Sequence, residues 1–328
     1  MKQKILITGA SGFVGFHLVN EALARRLDVY AAVRKSSDIK HLQHLPITYT
    51  YPDFGNIASL QKELEEKQYD YIIHAAGTTK AKSEADYTAI NADYTYNLFK
   101  AAECCSPFIK KIVFLSSLAS IGPLQQPDSL ITESTPPRPV TAYGRSKLLA
   151  EQQVAQLNIP LNVLRPTAVY GPRDKDIFIL FKALSRGLEP YIGRVQQQLS
   201  FIYVKDLAVL ALNAIFAPAV HQTYNVTDGN SYSRYDLANL TKPLLYKKTL
   251  RFHLPLGVVR VLALALEKTY VLLNKTPALN REKLSELTAV NWCCNIEKAQ
   301  NELGFTPAYN LEKGLAETMS WYKQEKWL

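Results

Sequence analysis

Three glycines at every third position constrain this chain more than any other feature. In Thr8-Gly9-Ala10-Ser11-Gly12-Phe13-Val14-Gly15 they follow directly on the short β-branched run Lys4 to Thr8 and open a helical pattern from Phe13 to about Arg26. Strand, tight turn and helix in that order make a backbone-lined anion site. Gly9 permits the turn, Gly12 lets the chain approach phosphates, and Gly15 allows the helix to pack closely, while the helix N-terminus supplies a favourable dipole. Ser11, Phe13 and Val14 complete the loop. The motif predicts that a dinucleotide pyrophosphate binds here. Glycines serving only a turn and its packing are the alternative, disfavoured by the strand and helix on either side.

Further strands read at Val29 to Val33, Ile47 to Tyr51, Tyr71 to Ala75, Lys111 to Ser116 and Leu161 to Arg165. Helical stretches at Ile57 to Lys67, Tyr87 to Cys104 and Thr141 to Leu157 lie between them, the last opening on a Thr141 cap. Such alternation implies parallel pairing and right-handed crossovers. The expected fold is therefore α/β, a doubly wound parallel Rossmann sheet completed by its sixth strand. Residues 1–170 are expected to form a dinucleotide-binding domain, with 200–226 returning to it. Residues 171–328 are expected to form a smaller, interleaved and mostly helical substrate lobe. It contains short strands at Phe201 to Val204 and Thr223 to Val226, then helices near Ile296 to Leu303 and Leu311 to Lys323.

With 328 residues, 47% of them apolar and 20% charged, the chain can bury a sizeable core and is neither disordered nor a disulfide scaffold. Its formal charge is +9, yet no dense run of cations interleaved with aromatics appears, so nucleic acid is not expected as a partner. A phosphorylated cofactor, an anionic membrane surface or a merely basic solvated face would each fit that charge. Cys104 with Cys105 and Cys293 with Cys294 are adjacent pairs, without the two-residue gap of a metal knuckle or redox motif. No metal is expected, and a reducing, cytoplasmic setting is. Lys2 and Lys4 precede an apolar stretch that already contains the glycines, which suits a cofactor loop better than a signal peptide. The apolar segment Leu254 to Leu273 is interrupted by Arg260, Glu267 and Lys268. It falls short of the ~18 uninterrupted apolar residues that a spanning helix needs.

After the second strand, where a carboxylate would hold the ribose hydroxyl of NAD, stand Arg34 and Lys35 followed by Ser36 and Ser37. Cations there fit a 2′-phosphate, so NADP is preferred and NAD remains possible; a solvated basic loop is the alternative. Asp53 and Phe54, after the third strand, can hydrogen-bond and flank the adenine, or form a plain turn. In Tyr143-Gly144-Arg145-Ser146-Lys147 the four-residue spacing stacks a phenol and an ammonium on one helix face. A free phenol ionises near pH ~10, so exchanging a proton near neutrality calls for a neighbouring cation. Ser116 and Ser117 end the fifth strand at the carboxyl edge, where open α/β sheets bind ligands. Ser117 is the chosen partner for the same carbonyl oxygen, although Ser116 competes until the pleat register is known.

With these residues assembled, the chain resembles the extended short-chain dehydrogenase/reductase superfamily over nearly its whole length. The resemblance rests on Thr8 to Gly15, His74-Ala75-Ala76-Gly77, Asn91, Ser116-Ser117, Tyr143 through Lys147, Arg165-Pro166-Thr167-Ala168-Val169-Tyr170-Gly171, and Tyr203-Val204-Lys205-Asp206. It implies that Tyr143 is the acid/base, that Lys147 orients the nicotinamide ribose and lowers the tyrosine pKa, and that Ser117 completes the triad. It further implies that Ala75, Ala76, Gly77 and Asn91 support the cofactor and that Pro166, Thr167 and Val169 lie against the nicotinamide. Homodimers packed through two long helices per subunit are common in the superfamily; here the candidates are Tyr87 to Cys104 and Thr141 to Leu157.

Two departures point to a branch. Nucleotide-sugar enzymes of the superfamily carry an arginine and an aspartate before the aromatic strand residue, but Leu199 and Ser200 precede Phe201 here. Their later Arg-x-Gly-Asp context has no match in Leu284 to Trp292. The basic strand end and the apolar stretch look like the dihydroflavonol reductase and 3β-hydroxysteroid dehydrogenase branch, which implies an apolar substrate. Residues 255–273 would then be an oily lid or interfacial helix touching a membrane, or a buried packing helix. The rival readings are a sugar-nucleotide epimerase or dehydratase with tightly bound NAD, and a non-catalytic nucleotide-binding protein.

Overall fold

A computed structural model describes residues 2–105, 108–272 and 280–328, with side chains of 266–272 outside the description. Seven strands form one parallel sheet: β1 (Lys4–Thr8), β2 (Asp28–Ala32), β3 (Thr48–Thr50), β4 (Tyr71–His74), β5 (Lys111–Leu115), β6 (Leu161–Pro166) and β7 (Gln222–Val226). Their spatial order is β7-β6-β5-β4-β1-β2-β3. The six strands read for the sheet are joined at its edge by a seventh, the short strand read at Thr223 to Val226. Gln222 to Val226 pairs in parallel with β6, in register from Asn162 to Pro166.

The strands carry apolar side chains on both faces, as a sheet covered on both sides must. One face buries α1 (Phe13–Ala24), together with a long helix formed at 204–216, through Leu18, Val19, Leu207 and Ala211. The other buries α2 (Ile57–Lys67), α3 (Tyr94–Cys104) and α4 (Ala142–Val154) through Leu60, Phe99 and Ala150. Helix α4 starts where the sequence places its cap, with Thr141 Oγ1 accepting the Gly144 N–H at 3.0 Å.

The stretch read as one helix from Tyr87 to Cys104 is composite. An α turn over Glu84–Thr88, opened by a Ser83–Asp86 capping box, passes into a π turn at Ala89–Asp93 before α3 begins. Single π turns concentrate at functional sites because they re-aim one side chain. Here that turn contains Asn91, which is fully buried.

A third core joins Tyr170, Tyr203, Leu311, Leu315 and Tyr322 in the C-terminal part of the chain. Cys293 and Cys294 are buried, Cys294 in a separate small core with Leu118, Ile121 and Ile131, and all four cysteines are free thiols. Among the described residues no helix is long and apolar enough to cross a membrane.

Gly15 shows how tightly the opening turn is built. A Cβ there would stand 2.1 Å from the Gly9 carbonyl oxygen and 2.7 Å from Ala10 Cα, both backbone atoms with nowhere to go. Gly15→Ala is expected to lose about 3 kcal/mol. Gly257→Ala, where a Cβ meets nothing within 4 Å, should be close to neutral; urea unfolding of the pair checks the contrast.

Candidate active site

Parallel pairing sets Thr8 beside His74 and His74 beside Phe114, so the ends of β1, β4 and β5 share one edge. The strand order reverses between β1 and β4, and the crevice above such a switch point is where open α/β sheets take ligands. His74 ties this crevice together. Its imidazole is buried between the hydroxyls of Thr8, 2.8 Å from Nδ1, and Thr95, 2.9 Å from Nε2. The Thr8 hydroxyl oxygen also accepts the N–H groups of Ala75 and Ala76, and the Thr95 hydroxyl donates to the Asn91 carbonyl. Burial, with Lys147 nearby, holds the imidazole down at about 3, so the ring is neutral. With the Thr95 hydroxyl already donating, the network assigns the proton to Nε2 and leaves Nδ1 to accept from Thr8. The glycine turn and the Ala75–Gly77 loop are thereby one unit.

Asn91 extends that unit to α4. Its carbonyl accepts from the Thr78 N–H at 2.7 Å, and its amide donates to the Thr78 carbonyl and to Ser146 Oγ, each at 3.0 Å. Its side chain is thus spent on protein partners; its support of the crevice is indirect.

The two serines separate cleanly. Ser116 Oγ donates to the buried Glu151 carboxylate, facing away from the crevice. Ser117 caps the short 3-10 turn Leu118–Ser120, its Oγ accepting the Ala119 N–H at 3.2 Å, and it acts on the Tyr143 phenol as an influence favouring ionisation. Tyr143 and Lys147 both rise from the first turns of α4 toward this point. Burial pushes the phenol up to about 12 against the opposing pull of Ser117, and it drives the Lys147 ammonium down to about 8. Lys147 Nζ donates to the Leu115 carbonyl at 2.8 Å and lies 4.6 Å from the Phe114 ring centroid. The resemblance implies that Lys147 lowers the phenol's pKa. In this arrangement the ammonium is engaged with Leu115, and burial, with a smaller push from the Glu286 carboxylate, raises the phenol's pKa.

Sequence reasoning missed a clasp at the start of α4. Arg145 reaches Glu84 at 2.6 Å and Glu282 at 2.8 Å, and Glu282 also accepts the Ala142 N–H at 2.7 Å. A carboxylate at that helix end is favoured by the dipole. The partners lie 61 and 137 residues from Arg145, and no local pattern joins them.

The edge fits a dinucleotide. Helix α1 begins at Gly12 with no side chain capping it, so its first-turn amides face the crevice without a resident acceptor from the cap. A Cβ on Gly9 would collide with Ala75 O at 2.7 Å, and one on Gly77 would meet Asn91 Oδ1 at 3.0 Å and approach Lys147 Nζ at 3.7 Å. Ser11, Phe13 and Val14 line the turn half-buried, while Arg34 and Lys35 stand exposed just beyond β2. Asp53 is a turn residue, its Oδ1 accepting the Gly55 N–H, and Phe54 stacks on Tyr94 with 6.4 Å between ring centroids. Pro166, the last residue of β6, is buried; beyond it the Thr167 hydroxyl donates to the Ser200 carbonyl, and Val169 packs against the main core.

Comparison with known proteins agrees with this geometry. The family model described as the NAD dependent epimerase/dehydratase family matches residues 5–227. The sterol-4-alpha-carboxylate 3-dehydrogenase of Schizosaccharomyces pombe is 26% identical, over 98% of this chain and 98% of its own. The UDP-glucose 4-epimerase of Vibrio cholerae is 25% identical, over 99% and 97%. Among solved structures, the UDP-glucose 4-epimerase of Thermotoga maritima with UDP-glucose superposes with a TM-score of 0.81 at 18% identity, covering 99% of this chain and all of that one (100%). The dTDP-glucose 4,6-dehydratase of Bacillus anthracis in complex with NAD superposes at 0.78 and 22% identity, covering 99% and 98%. At such identities the superpositions speak for the fold.

Proposed function

The chain belongs to the NAD dependent epimerase/dehydratase family of enzymes, and from that premise we propose an NADP-preferring dehydrogenase or reductase acting on a hydrophobic alcohol or ketone. The observation that carries the reading is the buried Lys147, its Nζ held by the Leu115 carbonyl and within reach of Gly77, one helical turn from Tyr143 on the edge where the glycine turn and the Ala75–Gly77 loop are locked together. The bound nicotinamide would supply or accept the hydride. Amides of the glycine turn from Gly9 to Gly15 would hold its pyrophosphate, and Arg34 and Lys35 a 2′-phosphate. Tyr143 gives its proton to the substrate oxygen in reduction and takes it back in oxidation, while Ser117 donates a hydrogen bond to that same oxygen.

An apolar substrate is supported by what surrounds Phe201. Ser200 Oγ donates to the Trp292 carbonyl at 2.8 Å, and Leu199 precedes it, leaving no arginine and aspartate there to grip a diphosphate. Tyr87 adds an aromatic wall 6.4 Å from the Tyr143 ring. The sterol dehydrogenase relatives favour the same class. A homodimer packed through α3 and α4 and a reducing, cytoplasmic compartment, in keeping with the free thiols, complete the reading.

Titration of purified protein with NADPH and NADH, followed by a panel of ketones and sugar nucleotides in the tighter cofactor, tests it. NADPH should bind about tenfold more tightly or better, because charge-assisted contacts to the extra phosphate are the stronger kind. The preference should vanish in Arg34→Ala. Co-purified NAD together with turnover of a UDP-sugar without added cofactor would overturn the reading in favour of an epimerase.

A further inference from the structure

The two-stranded parallel ribbon of the C-terminal part has an apolar side that no polar group interrupts. Leu188–Ile192 pairs with Leu250–Leu254 in the register Leu188 with Leu250, Pro190 with Phe252 and Ile192 with Leu254. Partners in a ladder share a face, so these six side chains line one side. The intervening residues turn the other way into a polar network, where Arg251 reaches Glu189 at 2.6 Å and Tyr235 Oη lies 3.0 Å from His253 Nε2. Leu250 is 69% exposed.

The ribbon runs directly into the helix Leu256–Leu272, whose first turns bury Val259 and Ala263 yet leave Val258, Val261 and Leu262 at 60%, 68% and 52% exposure. Those three fall at i, i+3 and i+4, a single stripe pointing outward where a helix on a globular surface carries polar residues. Ribbon and stripe follow one another along the chain, and together they expose aliphatic side chains of the kind that seldom face water in a monomer.

The charges around it decide what covers it. Residues 237–266 include five Lys or Arg (Lys242, Lys247, Lys248, Arg251, Arg260) and no Asp or Glu. Exposed Arg186, Lys247 and Lys248 flank the start of the ribbon, and exposed Arg194 and Arg260 flank its far end. Asp236 and Glu267 bound that stretch, and the one acid of the ribbon itself, Glu189, is buried and paired with Lys242 and Arg251. A second copy of this chain would set two basic rims against each other. An anionic bilayer accepts both features, the aliphatic side chains below its headgroups and the cations among its phosphates.

We propose that this surface docks the enzyme peripherally on anionic lipid membranes. The docked surface deepens the apolar-substrate reading and rests on it only for the source of the substrate, since vesicle binding is measured without turnover. Sedimentation with phosphatidylcholine vesicles, with and without 30% (about one lipid in three) phosphatidylglycerol, tests it. Partitioning onto anionic vesicles should exceed that onto neutral ones by about tenfold. It should fall about tenfold in Val261→Glu/Leu262→Glu and also in Lys247→Glu/Lys248→Glu. Reduction of a water-soluble ketone and the melting transition should stay unchanged in both variants, separating lost docking from lost fold. Binding to neither vesicle would overturn the proposal. So would binding indifferent to the Val261 and Leu262 changes, which would reflect the net charge alone, or a concentration-dependent dimer that those changes dissociate.

Discussion

On the proposed role, Tyr143→Phe is expected to lower turnover by about 10²- to 10⁴-fold with a much smaller effect on the affinity for the nicotinamide cofactor, because the substitution removes the proton donor and keeps the ring. The pH dependence gives the assignment a second, independent readout. Burial pushes the phenol up to about 12, so it is protonated throughout the neutral range. Reduction, which consumes the proton, is then level across neutrality. Its first decline comes near 8, where Lys147 loses its charge. Oxidation needs the phenolate, whose fraction grows about tenfold per pH unit below the pKa. Wild-type oxidation therefore climbs with pH, and the residual rate of the phenylalanine variant does not. Near-full activity in that variant, or an unaltered slope, would remove Tyr143 from the chemistry.

How much of this was legible beforehand depended on whether the information was local. The glycine spacing, the Thr141 cap and the four-residue interval between Tyr143 and Lys147 are all contained within one or two turns of chain, and the structure has each where the pattern places it. The rivalry of Ser116 and Ser117 was open because it turns on which face of the strand end each hydroxyl takes. The partner that takes up the Ser116 hydroxyl, Glu151, lies 35 residues away. The pairing of Gln222–Val226 with β6 and the Arg145 clasp depend on partners tens of residues away. His74 shows the same limit from the other side: the motif around it was visible, but its work needs Thr8 and Thr95, 66 and 21 residues distant. The apolar stretch after Leu254 was ambiguous for a physical reason. Its helix is apolar on two sides, so periodicity predicts a buried helix and an interfacial one equally well, and only exposure tells them apart.

Glu151→Ala should destabilise the protein by about 3–5 kcal/mol, the second large effect, although this residue touches no substrate. It sits eight residues after Tyr143 and four after Lys147, continuing their face of α4 down into the sheet. There its carboxylate accepts hydrogen bonds from Ser116, from Ser120 at 2.8 Å and from Arg165 Nε at 3.0 Å. Arg165 lies at the end of β6, is 9% exposed, and has a further nitrogen, Nη1, without a partner among the described residues. Removing the carboxylate strands a guanidinium in the interior, and two serine hydroxyls lose their acceptor with it. Most of the loss is thus the penalty of an unpaired buried charge, not the worth of the bond itself. The double variant Glu151→Leu/Arg165→Met, which removes both charges and keeps the volume, should consequently recover most of the stability. Urea unfolding of the two single variants and the double measures the coupling. A loss below about 1 kcal/mol for Glu151→Ala, or a double variant no better than the single, would mean that water reaches this pair and that the helix bearing Tyr143 is fastened to the sheet by its apolar contacts alone.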